Sequence, residues 1–241
     1  MGVTRPTPNQ GLPFVTSVLA VVAHPDDESF GLGAVLSVFS NAGVEVGGVC
    51  FTHGEASTLG DQGIEVGRVR EAELAGAARS LGLGSVTLLD HPDGRLSEVD
   101  VSELADLVVV AVRQHGAELL LVFDDTGVTG HPDHYQATQA ALEAANRLDL
   151  PALAWTLPES VACLLNDEFH TAFVGRRADE IDIVMPVDRG DQLHAIRCHA
   201  SQSTDNRVLW RRLRLTGDRE YLRWLRRPTR CPMTASKLPD R

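Results

Sequence analysis

Five near-continuous apolar runs, the first four each followed by a segment of helical periodicity, constrain this chain more than any other feature of it. They predict strands at Val18–Ala23, Val44–Thr52, Val86–Asp90, Glu118–Phe123 and Ala152–Leu157, with helices at Phe30–Asn41, Ile64–Leu81, Val101–Gln114 and Pro132–Leu148. In the third helix Leu104, Leu107, Val108, Ala111 and Val112 share one face. Strands this uniformly apolar must be covered on both sides, as parallel strands are. Alternation of strand and helix then gives a Rossmann-like, doubly wound, mostly parallel sheet with strand order near 3-2-1-4-5.

Past Pro158 the alternation stops. The stretch 173–187 predicts one or two antiparallel or edge strands, and Asp188 is placed to cap a helix through "DQLHAIRCHASQ". Arg207–Leu225, with apolar residues among arginines, predicts two short amphipathic helices split at Gly217, and the Pro-rich end from Pro228 an irregular tail. One domain over 1–241 is expected, with a core at about 18–202 and a basic helical extension at 203–241.

Charge is distributed unevenly. Residues 1–206 hold 11 Lys/Arg against 30 Asp/Glu, whereas 207–241 hold 11 against 3. A body this acidic repels phosphates, so the basic segment is expected to dock on it and not on nucleic acid. No run is long enough for a membrane span. Leu12–Ala23 has the look of a signal sequence, but cleavage there would remove the first strand, so a cytoplasmic protein is expected. Cys50, Cys163, Cys198 and Cys231 are scattered without a CxxC pair and read as reduced thiols.

The chemistry collects at strand ends. The first strand runs into "AHPDDE" (Ala23–Glu28) and the fourth into "GHPDH" (Gly130–His134), with Pro132 suited to a first helical position. A third His-Pro-Asp, at His91–Asp93, continues into Gly94 and has the pattern of a β-turn. In a sheet of order 3-2-1-4-5, strands one and four are neighbours where the winding reverses, which is where open α/β sheets bind ligands. Two histidines and several carboxylates there suit a catalytic metal. Adjacent Asp26 and Asp27 point different ways, so that one can bind metal while the other serves as base. Two other readings compete. A nucleotide-binding Rossmann protein is suggested by Gly31-Leu32-Gly33, although Leu36 holds the third glycine position and the acids repel a pyrophosphate. The other is a catalytically silent metal-binding protein.

These paired motifs resemble the PIG-L/LmbE-like zinc de-N-acetylases. The similarity extends to "THGEA", "REAEL", "DHPDGRL" and "HASQ", from about Val18 to Gln202. It implies a hydrolase that releases acetate and a free amine from an N-acyl, amino-sugar-based small molecule, with Zn²⁺ (or Fe²⁺ or Co²⁺) as cofactor and a homo-oligomer as one possible state. It further implies His24, Asp27 and His134 as metal ligands, Asp26 as general base, and His131 as a second catalytic group oriented by Asp133. Arg70, braced by Glu73, is implied in the substrate pocket, together with Glu55, Asp93 and His199. Some sugar-acting members carry tyrosine where this chain has Thr129.

Overall fold

The computed structural model describes residues 11–59 and 65–228. In chain order the elements are β1 (Ser17–Val22), α1 (Asp27–Phe30), α2 (Gly33–Asn41), β2 (Glu45–Thr52), α3 (Glu65–Leu81), β3 (Ser85–His91), α4 (Val101–His115), β4 (Leu119–Phe123), α5 (Pro132–Leu148), β5 (Ala152–Thr156), α6 (Glu159–Phe169), β6 (Ile183–Pro186), α7 (Gly190–Cys198), α8 (Ala200–Ser203), α9 (Arg207–Thr216) and β7 (Arg219–Arg226). They form one seven-stranded sheet of order β3-β2-β1-β4-β5-β7-β6. The first five strands run parallel, in the order expected.

β1 shows why the strands read as continuous apolar runs. Val18, Ala20 and Val22 enter one core while Leu19, Val21 and Ala23 enter the other, on the opposite face of the sheet. The segment resembling a signal sequence therefore contains the central strand. No helix among the described residues is long and apolar enough to cross a membrane. α4 buries Leu104, Val108, Ala111 and Val112 as expected, but Ala105 takes the place of Leu107, which lies exposed.

Three expectations about these elements are corrected. The first helix is broken into α1 and α2 at Gly31 and Leu32, where the backbone passes close against β4. A Cβ at Gly31 would lie 2.5 Å from Phe123 Cε1. Ile64, the expected start of the second helix, lies outside the described residues, as does most of the tail beyond Pro228. Asp188 is not the cap residue of α7, which is Arg189, although its carboxylate does accept the Gly190 N–H at 2.8 Å. Finally, the second half of Arg207–Leu225 is a strand. β7 pairs antiparallel with β5 on one side and with the edge strand β6 on the other. Buried Glu220 and Leu222 alternate with more exposed neighbours there, a period of two. The open hydrogen-bonding edge of β5 decides between strand and helix where local propensity does not.

Several arginines of this segment face acids of the body: Arg211 to Glu168 at 2.5 Å, Arg223 to Asp124 at 3.3 Å, and Arg226 to Asp149. The basic segment is thus docked, as a helix and a strand in place of a helix pair. We expect Gly31→Ala to drive a methyl into Phe123 and to destabilise the protein by about 1–3 kcal/mol, the scale of core overpacking. Urea unfolding measures this, and an unchanged midpoint would contradict the close approach.

Candidate active site

The site forms where the carboxyl ends of β1 and β4 meet. After β1 the chain turns sharply: Asp26 has φ 126°, a strained conformation for any residue but glycine. Its N–H donates to Glu28 Oε2 at 2.9 Å, and its carbonyl accepts from Ser29 and Phe30. Asp26 and Asp27 consequently diverge. Asp27 Oδ2 accepts the backbone N–H groups of Ala23 (3.2 Å) and His24 (2.9 Å), while Oδ1 lies 3.1 Å from His134 Nε2. Asp26 Oδ2 instead accepts from Arg70 at 3.0 Å.

His24, Asp27 and His134 converge. His24 Nδ1 lies 3.0 Å from His134 Nε2 and 3.5 Å from Asp27 Oδ2. Donors around a tetrahedral ion bound at about 2.0–2.2 Å stand about 3.3–3.6 Å apart, so these atoms fit one small divalent cation. The remaining ring nitrogens are held from behind. His134 Nδ1 shares a 2.7 Å hydrogen bond with Thr129 Oγ1, and Asp93 Oδ1 lies 2.9 Å from His24 Nε2, out of line for a straight hydrogen bond. Such partners set which nitrogen is offered to a metal. Among the described residues, His24, His131 and His134 form one group of donors close enough to share an ion, and His24, Asp93 and Asp133 another.

The electrostatics separate the two aspartates. Burial pushes Asp26 up to about 6, Arg70 being the main opposing charge and Asp27 adding to the rise. Burial acts on Asp27 in the same direction, but His134 and His24 outweigh it and hold the carboxyl well below the usual range. For His24, burial opposes protonation and is overcome by Asp133, Asp27 and Asp93, which raise its pKa well above the ordinary value. A cation entering here must therefore displace a proton.

The structure reassigns several residues. Asp133 does not orient His131 through its carboxylate, which accepts from the Gly94 and Leu96 N–H groups at 2.7 and 3.1 Å. It is the Asp133 N–H that donates to His131 Nδ1, at 3.2 Å. Partial desolvation and the neighbouring His24 and His134 rings lower the His131 pKa, and with Nδ1 accepting, the neutral ring carries its proton on Nε2. Glu73 does not brace Arg70 but binds the N–H and hydroxyl of Ser201 at 2.8 and 2.7 Å. Arg70 is held by the Gly54 and Pro25 carbonyls, both at 2.6 Å. Gly54 is required there, since a Cβ would lie 2.0 Å from Arg70 Nη1. Glu55 stays off the cavity wall and accepts the Asp93 N–H at 2.9 Å. His199 is fully buried, bonded to Glu28 Oε1 at 2.7 Å, and touches no open space. The third His-Pro-Asp is both a turn and part of the site: Gly94 has φ 77°, and Asp93 reaches the cavity.

That cavity has a volume of about 540 Å³ and is lined at one end by His24, Asp26, Arg70, Asp93, His131 and His134. Sequence reasoning missed its far end, which Phe123, Trp155 and α9 supply. Spacing along the chain carries no signal for residues that only the sheet order brings together.

A doubly wound sheet with histidines and aspartates gathered at its switch point fits the deacetylase class that the paired motifs resemble. The described fold matches the crystal structure of the zinc-inhibited form of teicoplanin deacetylase Orf2 with a TM-score of 0.64 at 18% identity, covering 89% of this chain and 100% of that one. The profile of the PIG-L family, GlcNAc-PI de-N-acetylase, matches residues 19–145, and the chain belongs to that family. Among its relatives are the 1D-myo-inositol 2-acetamido-2-deoxy-alpha-D-glucopyranoside deacetylases of Kribbella flavida (29% identical, 78% of this chain and 83% of that protein) and Salinispora arenicola (30% identical, 80% and 78%).

A carboxyl raised from 3.8 to about 6 lowers fold stability as pH rises through that window, because the folded state there binds more protons than the unfolded one. We expect Asp26→Asn to stabilise the metal-free protein at pH 7.5 by an amount on the order of 1–3 kcal/mol, and the gain to vanish below about pH 4. Urea titrations at the two pH values check it, and a destabilised variant at pH 7.5 would contradict the shift.

Proposed function

We propose that the protein is a metal-dependent N-deacetylase that hydrolyses the acetamide of an amino-sugar-based small molecule, releasing acetate and a free amine. The observation that carries the reading is the division of labour between neighbouring carboxyls. Asp27 is locked ionised beside two convergent imidazoles, while Asp26 lines the same cavity with its proton affinity raised into the working range of a base. The relatives' names point the same way.

His24, Asp27 and His134 would hold a divalent cation, which when bound would supply Lewis acidity toward water and the amide carbonyl. Two imidazoles and a carboxylate suit Zn²⁺, with Fe²⁺ and Co²⁺ also accepted by such donors. Asp26 takes a proton from the attacking water as its oxygen bonds to the carbonyl carbon. The same carboxyl then returns the proton to the amine nitrogen as the C–N bond breaks. Arg70 holds Asp26 in place and keeps its pKa from rising further. His131, neutral and donating from Nε2, stabilises the carbonyl oxygen as it gains charge. Thr129 stands where some relatives have tyrosine, and by holding His134 Nδ1 it supports a ligand and not the oxyanion.

Amine release from a panel of N-acetylhexosamine derivatives tests the reading. We expect activity to be lost on chelation and restored by one equivalent of metal, and kcat/KM to rise with pH as Asp26 ionises. Full turnover by metal-stripped protein would sink it. For His131→Ala we expect kcat to fall roughly 10²–10³-fold, the scale of one oxyanion donor, with metal content retained. A folded, metal-loaded variant with near-normal kcat would leave His131 as only the cap of α5.

A further inference from the structure

The cavity continues beyond the groups of the proposed reaction. Its far wall is apolar, formed by Phe30, Trp155, Phe173, Val208 and Leu209, and set into this wall is one cation, Arg212 of α9. Arg212 is 7% exposed, with its guanidinium carbon 4.8 Å from the centroid of the Trp155 ring. One of its nitrogens donates to the Phe30 carbonyl. A guanidinium has five N–H donors, however, and a neutral carbonyl supplies no counter-charge.

The other buried or half-buried arginines nearby face carboxylates: Arg70 meets Asp26, Arg189 meets Glu220, and Arg176 and Arg223 meet Asp124. Among the described residues Arg212 makes no ion pair. Glu220, the carboxylate whose charge reaches it most strongly, is already engaged by Trp155 Nε1 at 2.8 Å and by Arg189. Burial lowers the Arg212 pKa to about 10, which leaves the group charged at neutral pH. An uncompensated positive charge thus opens on a cavity, in a chain where acids outnumber bases 33 to 22. The planar fork of arginine matches a carboxylate or a phosphate.

An aromatic path joins this charge to the reaction centre. Trp155 packs against Phe123 with centroids 5.0 Å apart and the rings tilted by 49°, and Phe123 meets the His134 ring edge-on at 5.0 Å. A ligand with its acetamide beside Asp26 can lie along these rings and end at Arg212. A cavity of about 540 Å³ falls within the range of about 300–1,000 Å³ that holds drug-sized ligands, larger than an acetamide requires.

We infer that the substrate carries, beyond its N-acyl group and joined to it through an apolar or aromatic portion, an anionic group, carboxylate or phosphate, that seats on Arg212. The orientation rests on the deacetylase reading; the anion seat itself does not. The test uses three glycosides of N-acetylglucosamine, the phenyl, para-carboxyphenyl and para-phosphophenyl, with binding to the metal-loaded protein measured by calorimetry and kcat/KM by amine release. One or both charged glycosides should bind about 10- to 100-fold more tightly than the phenyl compound, the scale of one charge-assisted hydrogen bond. A carboxylate and a phosphate preference are told apart by which of them gains. Arg212→Met should bring the charged-to-neutral ratio near one, and Arg212→Lys should keep part of it. Equal binding of all three by the wild type would overturn the inference, and this holds whether or not the Met variant folds; so would a Met variant that weakens all three alike. Tight binding of a charged glycoside with no amine released from any would uphold the anion seat and sink the deacetylase reading. Amine release from all three at equal efficiency, with equal binding, would do the reverse.

Discussion

The Asp27 carboxylate binds three parts of the site to one another. Its Oδ2 gathers the Ala23 and His24 N–H groups where β1 ends, and its Oδ1 faces His134, which belongs to α5 and so follows β4. The end of the central strand, the first turn of α1 and the start of α5 therefore meet at a single anion. Burial alone would protonate such a group; the imidazoles on either side keep it charged. An uncharged side chain of the same shape would leave two buried N–H donors poorly served and the imidazoles with no counter-charge.

Strain and buried polarity concentrate around that anchor. Asp26 at φ 126° and the β-branched Val128 at φ 62° flank the site on the β1 and β4 sides. Each is a conformation that the surrounding structure must impose. For Asp26 the imposing contacts are identifiable. Glu28 receives its N–H, His199 holds Glu28 from beneath, and Arg70 draws the carboxylate toward α3. The "HASQ" segment acts as a clamp, its His199, Ser201 and Gln202 reaching Glu28, Glu73 and Ser57 respectively. Three motifs distant in sequence thus support one aspartate.

The C-terminal segment completes both the sheet and the cavity. β7 covers the edge of β5 and transfers the exposed edge to the short β6, whose last residue is Pro186, a residue suited to an edge strand. Glu220 of β7 fixes the Trp155 ring through its indole N–H, and α9 places Arg212 over the face of that ring. Sheet closure and the far wall of the cavity are therefore consequences of one packing event.

How much of this was legible follows from where each signal resides. Residue order alone determined the parallel core, because strands covered on both faces must be apolar throughout and the helices between them must be amphipathic. It also determined that His24, Asp26, Asp27, His131 and His134 would share a crevice, since a doubly wound sheet leaves the ends of strands one and four side by side. Only the tertiary structure decided that 219–226 would be a strand, because the open edge of β5 outweighs local propensity there. Only it moved His199 and Glu55 out of the cavity, and turned the Asp133 carboxylate toward Gly94 and Leu96. Hydrogen-bond direction and burial depend on partners distant in sequence, and no spacing rule within one segment carries that information. The same holds for Arg212: one of ten arginines at the basic end of the chain becomes singular only when folding leaves it buried without a carboxylate.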